Sequence, residues 1–169
     1  MNSMRAPKLD KVVVHIGAGE AGDRLVKAQR VLEMVTGQKP AITHSKRTNR
    51  DFGIRMGQPI GCKVTLRGAK ASEFLKKALW VKENRVSLYS FSPEGSFSFG
   101  VADYTDFAGM KYDPEIGVFG MDINVSVIRL GYRIARRQIA RRQVPNRHRL
   151  TLTESVNFLK ENFSLEVVE

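Results

Sequence analysis

Two hydrophobic periods interleave along the chain, one of two residues and one of three to four, and they divide it into strands and helices. Lys11 to Ile16 (KVVVHI) is β-branched and predicts a strand. Gly17 to Gly22 predicts a turn, and Asp23 to Val35 an amphipathic helix that buries Leu25, Ala28, Leu32 and Val35 and stops at Gly37. Pro40 to Ser45 and Pro59 to Arg67 predict two strands, joined across the polar segment Lys46 to Gly57 as a hairpin. Gly68 breaks the sheet. Ala69 to Val81 follows as a second helix with Phe74, Leu75, Ala78 and Leu79 inward. Alternation in GSFSFGV (95 to 101) and MDINVSV (121 to 127) predicts two more strands, with Phe97 and Phe99 in the core. A last helix begins near Thr151 or Thr153, where Thr151 and Glu154 have capping-box spacing, and buries Val156, Leu159 and Phe163. Adjacent strands are joined by loops too short for crossover helices. The expected fold class is therefore α+β, a largely antiparallel β-sheet with helices packed on it, in a single domain over residues 1 to 169.

Composition is consistent with such a body: 169 residues, 42% of them hydrophobic, are enough for a core. The lone cysteine, Cys62, allows no internal disulfide and fits a reducing compartment. No apolar run approaches the ~20 residues of a membrane span, and MNSMRAPKLD lacks a signal-peptide hydrophobic region. The expectation is a soluble cytoplasmic protein without membrane contact.

Charge changes the picture more. Lys and Arg number 28 against 17 Asp and Glu, for a net charge of +11. Between Ile123 and Thr153 stand eight arginines (129, 133, 136, 137, 141, 142, 147 and 149) with no lysine and no acid. Like charges so concentrated repel until a polyanion neutralises them, and the guanidinium fork grips phosphate oxygens in pairs. Nucleic acid is the partner this stretch implies. Within the Arg-rich segment 129 to 149, Ile134-Ala-Arg-Arg-Gln138 is repeated at once as Ile139-Ala-Arg-Arg-Gln143. If the segment is helical, a five-residue step turns side chains by roughly 140°. Five of the six arginines from Arg129 to Arg142 then share one arc, with Tyr132, Ala135 and Ile139 nearer the other side. The alternative is a solvated helix face, but such faces usually interleave opposite charges.

Gly17-Ala-Gly19-Glu-Ala-Gly22 matches GxGxxG between a predicted strand and a predicted helix, the context of a dinucleotide-binding turn. The reading to be weighed against nucleic-acid binding is thus an NADP-binding or other nucleotide-binding enzyme using that turn. Two features oppose it. No acidic residue lies between Glu33 and Asp51 to hold a ribose, and hairpins follow in place of βαβ units. Amide groups of the turn could still meet an RNA phosphate. His15, His44 and His148 are far apart, Cys62 has no CxxC partner, and neither a GxSxG elbow nor a GxxxxGK[ST] loop is present. No catalytic residue, metal site or cofactor is expected.

The hairpin from Lys39 to Arg67 is the second cationic region. Lys39, Lys46, Arg47, Arg50 and Arg55 oppose only Asp51, and Thr43, His44, Ser45, Thr48 and Asn49 add uncharged hydrogen-bonding groups. The mixture suits RNA: cations for phosphates, hydroxyls and amides for 2′-hydroxyls and base edges. Phe52 reads as an anchor of the loop, with base stacking as the alternative.

The stretches KVVVHIGAGEA (11 to 21), TGQKP (36 to 40), FGIRMGQPIGCKVTLRG (52 to 68), FSFGV (97 to 101) and YDPEIGVFGMDI (112 to 123) closely resemble the universal large-subunit ribosomal protein five family. The resemblance runs from Arg5 to about Asn124, with several long motifs in the same order. It implies an antiparallel sheet with helices, a place in the central protuberance, and binding of 5S rRNA with a neighbouring part of the large-subunit rRNA. It further implies contact with the elbow of P-site tRNA, an intersubunit bridge to a small-subunit head protein, and a neighbouring 5S-binding ribosomal protein. Carried over by position, His15, Gly17, Gly19, Gln38, Lys39, Thr43, Ser45, Lys46 and Arg47 face rRNA. Asn49, Arg50, Asp51, Phe52 and Arg55 form the tip expected near tRNA. The bacterial form has an additional helix before the first strand and an acidic connection in place of the arginines, so this chain looks like the archaeal or eukaryotic type. For Arg133, Arg136, Arg137, Arg141 and Arg142 the expected contact, from charge alone, is the rRNA backbone.

Overall fold

The β-branched segments extend where their alternate residues find an apolar cover, and the resulting sheet orders everything else. The computed structural model describes residues 3 to 168. In chain order the elements are β1 (Pro7–Gly17), α1 (Asp23–Thr36), β2 (Ala41–His44), β3 (Pro59–Leu66), α2 (Ala69–Val81), β4 (Arg85–Ser87), β5 (Phe97–Val101), β6 (Met121–Arg129), α3 (Arg133–Arg136), α4 (Leu152–Phe163) and β7 (Glu166–Val168). Five strands form one mostly antiparallel sheet in the order β2-β3-β1-β6-β5, and β4 and β7 pair in parallel as a separate ribbon. The fold is α+β.

The chain divides into two compact units. One comprises Val13–Leu66 and Gly100–Ile123. In it β2 and β3 form the expected antiparallel hairpin, with Ala41 opposite Lys63 and Thr43 opposite Gly61. The N–H groups of Ala18 and Gly19 both donate to the Ile60 carbonyl at 3.0 Å, so the end of β1 lies beside the start of β3. Helix α1 lies against β3 and buries Leu25, Ala28, Val31 and Leu32, each large side chain contributing about 1.5–3 kcal/mol. Val31 takes the place expected of Val35, which is half-buried. At the helix end Gly37 adopts φ 63°, ψ 21° and its N–H donates to the Glu33 carbonyl at 2.8 Å, a left-handed stop that glycine adopts at no steric cost.

The other unit runs from the amino terminus to Val12, through Arg67–Phe99, and from Asn124 to the carboxyl terminus. Helix α2 has the predicted limits and buries Ala71, Phe74, Leu75, Ala78 and Leu79. Phe97 is 3% exposed, stacks between Phe91 and Phe99 at 4.9 and 6.1 Å, and is core as expected. Thr151 and Glu154 form the predicted capping box of α4, and the Glu154 carboxylate accepts the Thr151 N–H at 3.1 Å. That helix buries Ser155, Val156 and Leu159, leaving Phe163 half-buried. Strand β1 starts at Pro7, earlier than predicted, because Asp10 within it is held in place by arginines.

The arginine segment is not a helix. Only one turn, Arg133–Arg136, is helical; Arg137 is extended at φ −65°, ψ 152°, and Ala140 is left-handed at φ 52°. Without a long helix there is no arginine arc. Stacked like charges oppose continuing the helix, and the chain instead closes into a loop with hydrogen bonds of its own.

Candidate nucleic-acid interface

In the first unit, the alternation that puts Val14 and Ile16 of β1 and Cys62, Val64 and Leu66 of β3 inside turns His15, Lys63 and Thr65 to the opposite, open side. Gly61 sits in that row. A Cβ there would lie 2.8 Å from the Ile16 carbonyl oxygen, 3.0 Å from Thr43 Oγ1 and 3.2 Å from His15 Nε2. The missing side chain therefore lets Thr43 and His15 close over bare backbone. His15 Nδ1 lies 3.9 Å from an Asp122 carboxylate oxygen. Thr43 and His15 are thus brought together on one side of the sheet. Lys63, Thr65 and Asp122 belong to the same face and were not singled out from sequence, although the period-2 alternation of CKVTL carries the first two.

In the glycine turn the Ala18 and Gly19 amides are occupied by Ile60, so those two are not free for a phosphate. Nor does the turn have a dinucleotide site's topology: α1 returns the chain to β2, which is separated from β1 by β3, its antiparallel neighbour. Gly17 and Gly19 themselves are solvent-exposed, Gln38 is half-buried and Lys39 is exposed.

The hairpin loop is pinned by its own polar groups. Ser45 Oγ donates to the Arg47 carbonyl at 2.7 Å, and Thr48 Oγ1 accepts the Met56 N–H at 3.1 Å. Gln58 Oε1 accepts the Arg55 N–H at 3.0 Å. Asn49 and Ile54 exchange backbone hydrogen bonds at 2.8 and 2.9 Å, and Asn49 Oδ1 accepts the Asp51 N–H at 3.0 Å. Ser45 and Asn49 thereby shape the loop, while Lys46, Arg47, Arg50, Asp51 and Arg55 are exposed to solvent. Phe52 is 76% exposed and anchors nothing, which corrects the anchor reading; Met56 beside it is 73% exposed. The ring is open to solvent between Arg50 and Arg55, an arrangement in which an aromatic side chain can offer its face to a base.

In the second unit the arginines separate into two sets. Arg129 is buried and paired with Glu154. Arg136 grips Asp10 with two hydrogen bonds, 2.7 and 3.2 Å, and Arg67 stands 3.5 Å from the same carboxylate. Arg137 donates twice to the Ala140 carbonyl, and Arg149 reaches Glu94 at 3.1 Å. These four hold the segment in shape. Arg133, Arg141, Arg142 and Arg147 make no side-chain hydrogen bond or ion pair among the described residues and are exposed. Sequence alone treats all eight alike, since the partners Asp10, Glu94 and Glu154 are distant along the chain.

Electrostatics agrees with that division. Burial alone would push Asp10 up, but the Arg136 hydrogen bonds and the charges of Arg136, Arg67 and Lys11 hold it below the ordinary 3.8. The hydrogen bond to Asp10 raises Arg136 in turn. The Thr151 N–H, with a smaller contribution from Arg129, lowers Glu154 from 4.5 despite burial. Burial pushes the Cys62 thiol up to about 11, consistent with an inert core group. No cluster among the described residues could hold a metal ion, and no helix among them is long and apolar enough to cross a membrane.

Comparison with known proteins accounts for nearly the whole chain. The family model of ribosomal protein L5 matches residues 2–55, and the model of the same family's C-terminus matches residues 59–158. The large ribosomal subunit protein uL5 of Thermoplasma volcanium is 53% identical over 169 residues, covering 99% of both chains. Its counterpart from Methanococcoides burtonii is 49% identical over 166 residues, with 98% of each covered. That of Sulfurisphaera tokodaii is 49% identical over 170 residues, covering 100% of this chain and 96% of the relative.

Proposed function

Since the chain belongs to the ribosomal protein L5 family, we propose that it works as an RNA scaffold which binds 5S rRNA and helps attach it in the central protuberance. At the coarser level it is a large-subunit ribosomal protein of the cytoplasmic ribosome and not an enzyme. Its RNA partners are 5S rRNA and a neighbouring part of the large-subunit rRNA. The hairpin tip, Asn49, Arg50, Asp51, Phe52 and Arg55, meets P-site tRNA. The remaining contacts are a bridge to a small-subunit head protein and a neighbouring 5S-binding ribosomal protein.

The observation that carries RNA binding is the set of exposed arginines that have no partner among the described residues, in a segment whose other arginines are fixed within the protein. An arginine already paired internally has little to gain from phosphate. Arg133, Arg141, Arg142 and Arg147 have everything to gain, and they supply affinity through counterion release. Selection of the folded RNA falls to the pinned β2–β3 surface: Gln38, Lys39, Thr43, Lys46 and Arg47, with His15 beside Thr43.

The test is filter binding to 5S rRNA and to an unrelated hairpin of equal length across a salt series. Thr43→Val with Gln38→Ala is expected to bring the two affinities together. Equal losses for both RNAs would reduce these residues to phosphate contacts. A wild-type protein that did not prefer 5S rRNA would overturn the scaffold reading itself.

A further inference from the structure

The tandem repeat has one sequence and two structural fates, and the difference assigns a task to one residue. In the first copy, Ile134 is half-buried and Arg136 and Arg137 are bound to Asp10 and to the Ala140 carbonyl. In the second copy, Ile139 is 86% exposed, and Arg141 and Arg142 have no side-chain partner among the described residues. The first copy builds the base of a loop and the second forms its outer surface.

That loop is fixed before any ligand arrives. The Arg142 N–H donates to the Ile134 carbonyl at 3.1 Å and closes the neck. Arg137 Nε and Nη2 donate to the Ala140 carbonyl at 3.0 and 2.8 Å, across the tip. Ala140 is held at φ 52°, a strained conformation for a residue with a Cβ, and strain of this kind persists where the surroundings impose it. The effect is to present Ile139 outward between arginines, beside an open hollow of about 910 Å³ bounded by Arg133, Arg137 and Ile139. A β-branched apolar side chain is poorly served by water and poorly suited to a phosphate. It is well suited to the face of an unstacked base, the use made of isoleucine, leucine and methionine wedges in nucleic-acid binders.

We propose that Ile139 is an RNA wedge: it inserts against an unstacked base of ribosomal RNA while Arg141 and Arg142 hold the flanking phosphates. This rests on the RNA-binding reading above and adds to it a site on the arginine loop, a contact that is apolar and independent of salt.

The experiment uses the full-length protein with two probes, refolded 5S rRNA and refolded large-subunit rRNA, each alone. Affinity is measured by filter binding across a salt series, and the RNA is mapped by 2′-hydroxyl acylation. Ile139→Ala, a change at an exposed tip, is expected to leave the melting temperature unchanged. It should weaken binding to one of the two RNAs about tenfold without altering the salt slope. One nucleotide made reactive by the wild type should become unreactive. Arg141→Gln with Arg142→Gln should do the reverse, flattening the slope and leaving the reactive nucleotide in place. If Ile139→Ala binds both RNAs like the wild type and the reactivity profile persists, the wedge is wrong while RNA binding stands. The same result together with loss of the variant from assembled particles would assign Ile139 to a protein contact and also overturn the wedge. Failure of the wild type to bind either RNA would remove the premise.

Discussion

At the scale of single residues, one amino acid does two jobs according to what faces it. Arg136 has a carboxylate at 2.7 Å and Arg141 has none among the described residues, although both occupy the same place in the repeated IARRQ. Their substitutions should therefore separate. Arg136→Ala is expected to cost about 1–2 kcal/mol of stability in a urea titration, because it strips a partly buried Asp10 of its main partner. Arg141→Ala with Arg142→Ala should leave the urea midpoint where it is. It should flatten log K against log salt by up to about 0.9 per lost duplex phosphate contact, or about 0.7 if the RNA is single-stranded. Equal effects of the two variants on stability and slope would show the division to be false. Phe52 permits a parallel test. With 76% of it exposed, Phe52→Ala should not move the melting temperature, yet it should lower affinity for tRNA on particles about fivefold if the ring stacks on a base. Gly61 is the opposite case: Gly61→Ala must push against the Ile16 carbonyl at 2.8 Å, so a loss of about 1–3 kcal/mol is expected in the same titration.

Elements are legible in the sequence wherever one face repeats and a terminus carries its own chemistry. The limits of helix α2 follow to the residue, because Gly68 precedes it and apolar residues line one side. Helix α4 announces its start through Thr151 and Glu154, since each satisfies an amide the other leaves open. Strand β1 is legible only in part, because Pro7, Lys8 and Asp10 look like a loop until Arg67 and Arg136 converge on Asp10. The β4–β7 ribbon leaves no trace in the pattern: three residues show no period, and Val86 finds Val167 only through the fold. The arginine segment departs in shape from the helix that its spacing suggests. A five-residue repeat says nothing of which copy meets an acid. For the site, the fold brings His15 and Thr43 together over Gly61, whereas Ser45 and Asn49 serve the loop.

At the scale of the whole molecule, a net charge of +11 sets how stability responds to pH. Cations so numerous repel one another at every pH below about 10, so the carboxylates that draw arginines together and offset their charge matter to the fold. Asp10 is the chief of these: burial raises it, yet Arg136, Arg67 and Lys11 together bring it below 3.8. Glu154, lowered from 4.5 by the Thr151 amide and Arg129, is the second. A carboxyl that is more acidic folded than unfolded stabilises fully above its unfolded value, and that contribution disappears as protons bind on the way down through the folded value. The protein should therefore hold a flat melting temperature from neutral pH to about 5 and lose it steeply below about 4. Asp10→Asn should melt several degrees lower at neutral pH and show a shallower fall in acid, the two curves converging at about pH 2. Solvent reaches Arg67 and Arg136, so the difference at neutrality should be nearer about 1 than about 3 kcal/mol and should shrink in high salt. Parallel acid curves for wild type and Asp10→Asn would show that the arginine loop is held by something other than this carboxylate.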